Sequence, residues 1–342
     1  MGGDNAPEMV VEGTEIVRSL HPDARFILFG DEGRIAPFLA RFPRLNEVSE
    51  VRHTDQAIAA DEKPSQALRR GQDSSMRLAI DAVQNGTAGG VVSAGNTGAL
   101  MAISKFVLGT QPSIDRPAMI SFFPTRRGKT AVLDLGANIE CNADNLVQFA
   151  VMGAAFVRIE LGIDRPTVGL LNVGVEELKG NDTLRSAGQA LREVDFGFEF
   201  AGFIEGNDIC EGTVDVVVTD GFTGNAVLKA LEGGSSMFVS FMRQAFQSGL
   251  ASKIGYLLAK PAFQQMRTRI DPRAYNGAVF VGLNGISVKS HGGTDGEGYA
   301  NAIGVAIDLV RGRFSERIQA DLEQSYVIPQ ELSEDARRAA IS

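Results

Sequence analysis

The sequence predicts a doubly wound three-layer α/β/α sandwich with a projecting helical hairpin. Three observations carry that expectation. Short β-rich runs recur at residues 25–30, 90–93, 118–123, 130–135, 167–173, 198–204, 214–219 and 277–283, with helical periodicity between them. Several runs are apolar with little alternation, as in Val214-Asp215-Val216-Val217-Val218 and Ala131-Val132-Leu133, which suits central parallel strands covered on both faces. Residues 223–269 depart from the pattern: a long helical stretch through Leu228-Lys229-Ala230-Leu231 and residues 237–242 turns at Gly249 and again near Gly255 and Pro261. It reads as a projection within one domain spanning 1–342, since no repeat or linker marks a boundary.

Composition narrows the functional class. The chain of 342 residues is 44% hydrophobic, enough for a sizeable core. Its two cysteines, Cys141 and Cys210, are far apart and lack metal-ligand spacing, so neither a disulfide framework nor a zinc site is expected, and a reducing cytoplasm fits best. No apolar stretch approaches the ~20 residues of a bilayer span, and the first residues are polar and turn-like, unlike a signal peptide. A net charge of −9 disfavours nucleic acid and requires a local basic patch for any acidic partner.

Ligands in such folds sit beyond the carboxyl ends of the strands. Glycine-rich segments follow three β-runs and open helices: Ser93-Ala94-Gly95-Asn96-Thr97-Gly98, Asp134-Leu135-Gly136-Ala137-Asn138 and Asp220-Gly221-Phe222-Thr223-Gly224-Asn225. Glycine lets the backbone approach an anion, and a helix start offers free N–H groups. Taken singly, each loop suits plain helix capping as well. Lys179 and His291 lie in polar turns after β-runs, and Gly292-Gly293 beside His291 leaves its imidazole open to a ligand. His21 and His53 read as structural or solvated.

Taken with the opening Met1-Gly2-Gly3-Asp4-Asn5-Ala6-Pro7, the segments Ala67-Leu68-Arg69-Arg70, Asp73-Ser74-Ser75-Met76-Arg77, Ile114-Asp115-Arg116-Pro117-Ala118, Lys179-Gly180-Asn181 and Lys289-Ser290-His291-Gly292 complete a series with the glycine loops. In order and spacing the series resembles the PlsX phosphate acyltransferases over almost the whole chain. The resemblance implies kinship of fold with phosphate acetyltransferases and with isocitrate- and isopropylmalate-type dehydrogenases. It implies an acyl-acyl-carrier-protein donor, inorganic phosphate as acceptor, an acyl phosphate product, a homodimer, and a place at the start of phosphatidic acid synthesis. No cofactor is implied. There are two departures. The family's Gly-Gly-Asp-Asn-Ala-Pro motif follows a first strand of the type I-A-L-D-A, absent here before Gly2, so either the start lies upstream or the sheet lacks a strand; and Tyr275-Asn276-Gly277-Ala278 stands where the family has paired glycines.

A thioester is already activated, and its thiolate, with a thiol pKa of ~8.5, leaves readily. The enzyme's task is then to hold phosphate in line and stabilise the oxyanion. Lys179 is assigned to gather phosphate, and Asn225 and His291 to donate to the anion or the thioester oxygen. Gly2, Gly3, Asp4, Asn5, Ser93, Gly95, Asn96, Thr97, Gly98, Asn138, Asp220, Gly221, Thr223 and Gly224 are the substrate-binding candidates. Two enzymatic alternatives are Cys141 as an acyl-accepting nucleophile and a nicotinamide dehydrogenase, the latter without its Gly-x-Gly-x-x-Gly fingerprint. A non-catalytic carrier-protein or membrane adaptor is the alternative from another class.

The carrier partner is acidic by the same resemblance, and Arg69, Arg70 and Arg77, read as one helical stretch, are its docking candidates. The acyl phosphate's next user is expected to be a membrane glycerol-3-phosphate acyltransferase. Tyr256, Leu257, Leu258 and Phe263 form an apolar turn bracketed by Lys253, Lys260, Arg267 and Arg269. Such a tip fits a membrane surface and, equally, a subunit contact.

Overall fold

Among the described residues ten strands form: β1 (Phe26–Gly30), β2 (Ser49–His53), β3 (Gly90–Ser93), β4 (Ala118–Thr125), β5 (Gly128–Leu133), β6 (Thr167–Leu171), β7 (Glu199–Ile204), β8 (Val216–Val218), β9 (Ala278–Val281) and β10 (Ile286–Lys289). The computed structural model describes residues 1–269 and 271–326, and the side chains of all these except 264–269 and 324–326. Eight strands make one sheet in the order β3-β10-β9-β4-β5-β8-β6-β7, while β1 and β2 pair separately. Helices cover both faces, as the sequence predicts. The winding is not wholly parallel: β9 and β4 run antiparallel to their neighbours. Between β4 and β5 there is room only for a hairpin, through Arg126-Arg127 and Gly128 at φ +137°.

This antiparallel centre decides where chemistry can lie. β3 and β10 are parallel, and β5, β8, β6 and β7 are parallel among themselves. Three antiparallel steps separate β10 from β5, so the carboxyl ends of the two groups face opposite ends of the sheet.

The core follows from the apolar runs. Val216, Val217 and Val218 of β8 are wholly buried, and the helix Ala143–Leu161 above them is apolar on every side, burying Phe149, Met152 and Phe156. Gly153 sets the helix–sheet spacing, since a Cβ there would stand 2.6 Å from Val216 Cγ1. Losing a ring such as Phe149 from a core of this kind costs ~3–5 kcal/mol.

Two strands escape the sequence patterns. Ser49-Glu50-Val51-Arg52-His53 is polar enough to read as loop, yet it forms the edge strand β2. Residues 282–285 break the expected run at 277–283 from a second strand, with Gly282 at φ +87° starting the reversal that leads β9 into β10. The facing edges of β1 and β3 are unpaired among the described residues. Helix Ser75–Gln84 packs on both, and a cavity of about 90 Å³ lined by Ile27, Leu28, Phe29, Val92, Ser93 and Ala94 lies between them.

The projection consists of helices Gly221–Gln247 and Leu250–Arg269. The expected further turns at Gly255 and Pro261 do not occur, and the chain reverses once, at Ser248-Gly249. Glycine in a helix interior costs only ~1 kcal/mol. The rings of Phe246, Tyr256 and Phe263 pack together at 5.1–5.7 Å between centroids and clasp the two helices. Leu257 and Leu258 therefore sit on a helix rather than a turn, 68% and 78% exposed, whereas Tyr256 and Phe263 face partly inward. The side chains of Arg267 and Arg269 lie outside the described residues. No described helix is long and apolar enough to cross a membrane.

Candidate active site

Strand pairing brings the first set of loops together. Lys289 lies opposite Ser93 in the parallel register of β10 and β3, so the segments that follow leave side by side. Each opens a helix: Asn96 caps Thr97–Leu108 through Ala99 N, and Asp295 caps Gly296–Arg311 through Gly298 N, both at 3.0 Å. Asn96 Nδ2 also donates to the carbonyls of Ala59, Ala60 and Glu62, so its side chain is spent on holding the loop.

Residues 2–5 lie across these two helix starts. Asp4 N donates to Gly292 O at 2.8 Å and Asn5 Nδ2 to Thr294 O at 3.1 Å. A Cβ on Gly2 would meet Gly95 Cα at 3.0 Å, and one on Gly3 would meet Gly292 O at 3.0 Å. The three loops thus touch backbone to backbone, which only glycine permits. The N–H groups of Gly2, Gly3, Asn96, Thr97 and Gly98 donate to no acceptor among the described residues.

His291 is exposed at the rim. Its N–H is held by Asn276 Oδ1 at 2.8 Å, and its Nδ1 accepts from Gly293 N at 3.1 Å. That acceptor role puts the proton of the neutral ring on Nε2, making Nε2 the donor. Asn276 also donates to Ser290 Oγ and Gly298 O. It is a positioning residue whose part is not legible in the local sequence, although it stands at one of the family departures. Lys289 likewise carries no local signal in the sequence, and only the pairing of β3 with β10 reveals its place.

The second set lies at the other end of the sheet, at the carboxyl ends of β5, β8 and β6. The Asp134 carboxylate is wholly buried and accepts from the N–H groups of Met119, Gly136, Ala137 and Asn138 and from Asn138 Nδ2, at 2.6–3.2 Å. Burial raises its pKa in spite of these bonds. Asp220 caps the next helix through Thr223 N and Thr223 Oγ1, and Gly221 N donates to Asn138 O at 2.7 Å. These loop donors are satisfied internally by carboxylates and carbonyls, the pattern of a built structural junction.

Asn225 is exposed beside Gly136. Lys179, in the loop after β6, is half exposed and pairs with Glu176 at 2.9 Å. The structure therefore brings Gly2, Gly3, Asp4, Asn5, Ser93, Gly95, Asn96, Thr97, Gly98 and His291 together. It leaves Lys179, Asn138, Asp220, Gly221, Thr223, Gly224 and Asn225 at the opposite end. Cys141, near that second set, is held as a thiol, because burial and the Asp134 charge push it up to about 11. That weakens the cysteine-nucleophile alternative.

The basic candidates divide as well. Arg69 and Arg70 end the helix Pro64–Arg70, Gly71 caps it, and Ser74 starts a second helix that carries Arg77. Capping chemistry breaks the single stretch that the sequence suggested. Arg77 is engaged with Asp81 at 2.8 Å and lies over the Phe106 ring, while Arg69 and Arg70 are exposed. Their helix packs beside Thr97–Leu108, next to the glycine loops.

Mixed sheet, flanking helices and glycine loops at strand ends define the phosphotransacetylase fold. The structure matches a phosphotransacetylase from Streptococcus pyogenes with a TM-score of 0.61 over 90% of this chain and 92% of that one, at 15% identity. A branched-chain phosphotransacylase from Enterococcus faecalis matches at 0.55, 90%, 97% and 13%. The sequence goes further: residues 1–317 match the family described as Fatty acid synthesis protein, and the chain belongs to that family. It is similar to a "Phosphate acyltransferase" of Rhodospirillum centenum, 60% identical over 94% of this chain and 91% of that protein. Another of that name, from Paramagnetospirillum magneticum, is 54% identical over 98% and 97%.

Proposed function

We propose that the protein transfers a fatty acyl group from an acyl-acyl-carrier-protein thioester to inorganic phosphate, and that the glycine loops at the ends of β3 and β10 hold the phosphate. The observation that carries this reading is the backbone junction of residues 2–5, 93–98 and 291–293, with N–H groups of Gly2, Gly3, Asn96, Thr97 and Gly98 left for an oxyanion. The names of the curated relatives support the same reaction kind.

In this mechanism a phosphate oxygen attacks the thioester carbonyl, an O–C bond forms, and the C–S bond breaks. The carrier leaves as a thiolate, which takes a proton to give the free thiol. The loops align phosphate with the carbonyl, and His291, donating through Nε2, stabilises the oxyanion of the tetrahedral intermediate. Exposed Arg69 and Arg70, beside the loops, are the docking face for the acidic carrier. The same reading includes a cytoplasmic homodimer that hands its acyl phosphate to a membrane enzyme, with Leu257 and Leu258 touching either lipid or the second subunit.

The test is to incubate purified protein with acyl-acyl-carrier protein, with and without phosphate, and to detect acyl phosphate by mass. Phosphate-dependent acyl phosphate and free carrier are expected. No turnover, with the carrier still bound, would instead establish an adaptor.

A further inference from the structure

We infer that Lys289, a residue outside the assigned phosphate contacts, is the cation that binds the phosphate in the glycine-loop site. This rests on the reaction proposed above and deepens it. Lys289 ends β10 directly opposite Ser93 of β3, so its side chain enters the junction at the base of the first glycine loop. Among the described residues Nζ is met only by carbonyls, Ala94 O at 3.5 Å and Ser290 O. No carboxylate among the described residues pairs with it. Asp4 acts on it only at longer range, and burial depresses the ammonium to about 8.

A partly desolvated ammonium without a counterion is a costly arrangement. An oxyanion gathered by the neighbouring N–H groups supplies the missing charge. Lys179, in contrast, has its charge met by Glu176 and lies at the other end of the sheet. The titratable neighbours are Asp4, which favours the charged lysine, and His291 on the adjoining loop.

Anion binding then has to favour the protonated lysine. Above pH 8 the free protein must take up a proton as the anion enters. Sulfate is the probe, because it stays a dianion across this range. Sulfate binding to the full chain, measured by calorimetry at pH 8.5 in two buffers of different ionisation enthalpy, is expected to show proton uptake. Affinity should fall with rising pH above 8. Lys289→Met is expected to weaken sulfate on the order of 10- to 100-fold, the scale of one charge-assisted contact. Lys289→Arg should keep affinity within a few-fold and lose the proton uptake, and unchanged melting of both variants excludes a folding cause.

Lys289→Met binding sulfate like the unaltered protein would overturn the inference, as would proton uptake persisting in Lys289→Arg. The acyl phosphate assay separates this from the reaction itself. Sulfate binding that depends on Lys289, in a protein making no acyl phosphate, leaves the lysine and removes the reaction. Full activity with an unchanged phosphate KM in Lys289→Met does the reverse.

Discussion

Gly224 lies so close to the carbonyl of Asp134 that a Cβ on it would overlap that oxygen. The contact ties the first turn of the long projecting helix to the loop after β5, and Gly221 makes the same approach to Asn138 O. Both glycines are buried, so the clash has no route of escape. Gly224→Ala is expected to destabilise the fold by at least about 2 kcal/mol, the scale of an overpacked site, read in urea melts. Stability within ~0.5 kcal/mol would show that the junction yields.

The split between loop groups sets up a comparison. His291→Ala should lower kcat/KM on the order of 10²-fold, the usual scale for a lost donor at the reacting centre. Lys179→Ala and Asn225→Ala, in an otherwise intact fold, should stay within about threefold, as expected of groups away from the reacting atoms. The opposite pattern would move the chemistry to the far end of the sheet.

Glu160 ends the long buried helix with burial and nearby Asp308 pushing its carboxyl up to about 7, partly offset by Lys129, and its Oε1 has no hydrogen-bond partner. Its folded pKa lies above the unfolded one. Between pH 4.5 and 7 the folded state holds the extra proton, so stability falls as pH rises through that window and stays lowered above it. At 1.36 kcal/mol per pKa unit the rise from 4.5 to about 7 costs on the order of 3 kcal/mol. Glu160→Gln should therefore raise Tm at pH 8 and leave it unchanged at pH 4. Equal shifts at both values would show that charge is not the cause.

The cavity between β1 and β3 has open strand edges on both sides, and Met1 N reaches Phe29 O at 3.2 Å beside it. Extending the chain before Met1 with an apolar strand of the I-A-L-D-A type is expected to raise Tm by a few degrees, at roughly 1–2 °C per kcal/mol for a chain of 342 residues. Identical melting would mean that the slot does not accept a strand.

Leu257 and Leu258 are among the exposed apolar side chains of the projection, with Met237, Phe238, Phe241, Leu250 and Ile254, and are separate from the ring cluster that clasps it. Changing both to Glu should reduce sedimentation with anionic vesicles while sedimentation equilibrium and soluble activity hold, if they meet lipid. Loss of self-association with vesicle binding unchanged would place them at a subunit contact.

Much of the architecture was legible in the chain itself. Apolar runs such as 131–133 and 216–218 mark strands buried on both faces, because a run without polar alternation suits a strand covered by helices on each side. The glycine loops announce close backbone approaches, and the ordered motifs carry the family. Local sequence could not show that β9 and β4 run antiparallel, because strand direction depends on pairings between distant segments, and this pairing sends the candidate residues to opposite ends of the sheet. Nor could it show that Asp134 and Asp220 consume the donors of their own loops, or that Asn96 is committed to a cap. Lys289 reads as an ordinary charge beside a histidine, and its burial depends on Ser93, nearly two hundred residues earlier in the chain. Residue types set which chemistry is available here, and long-range strand pairing decides which of those groups meet.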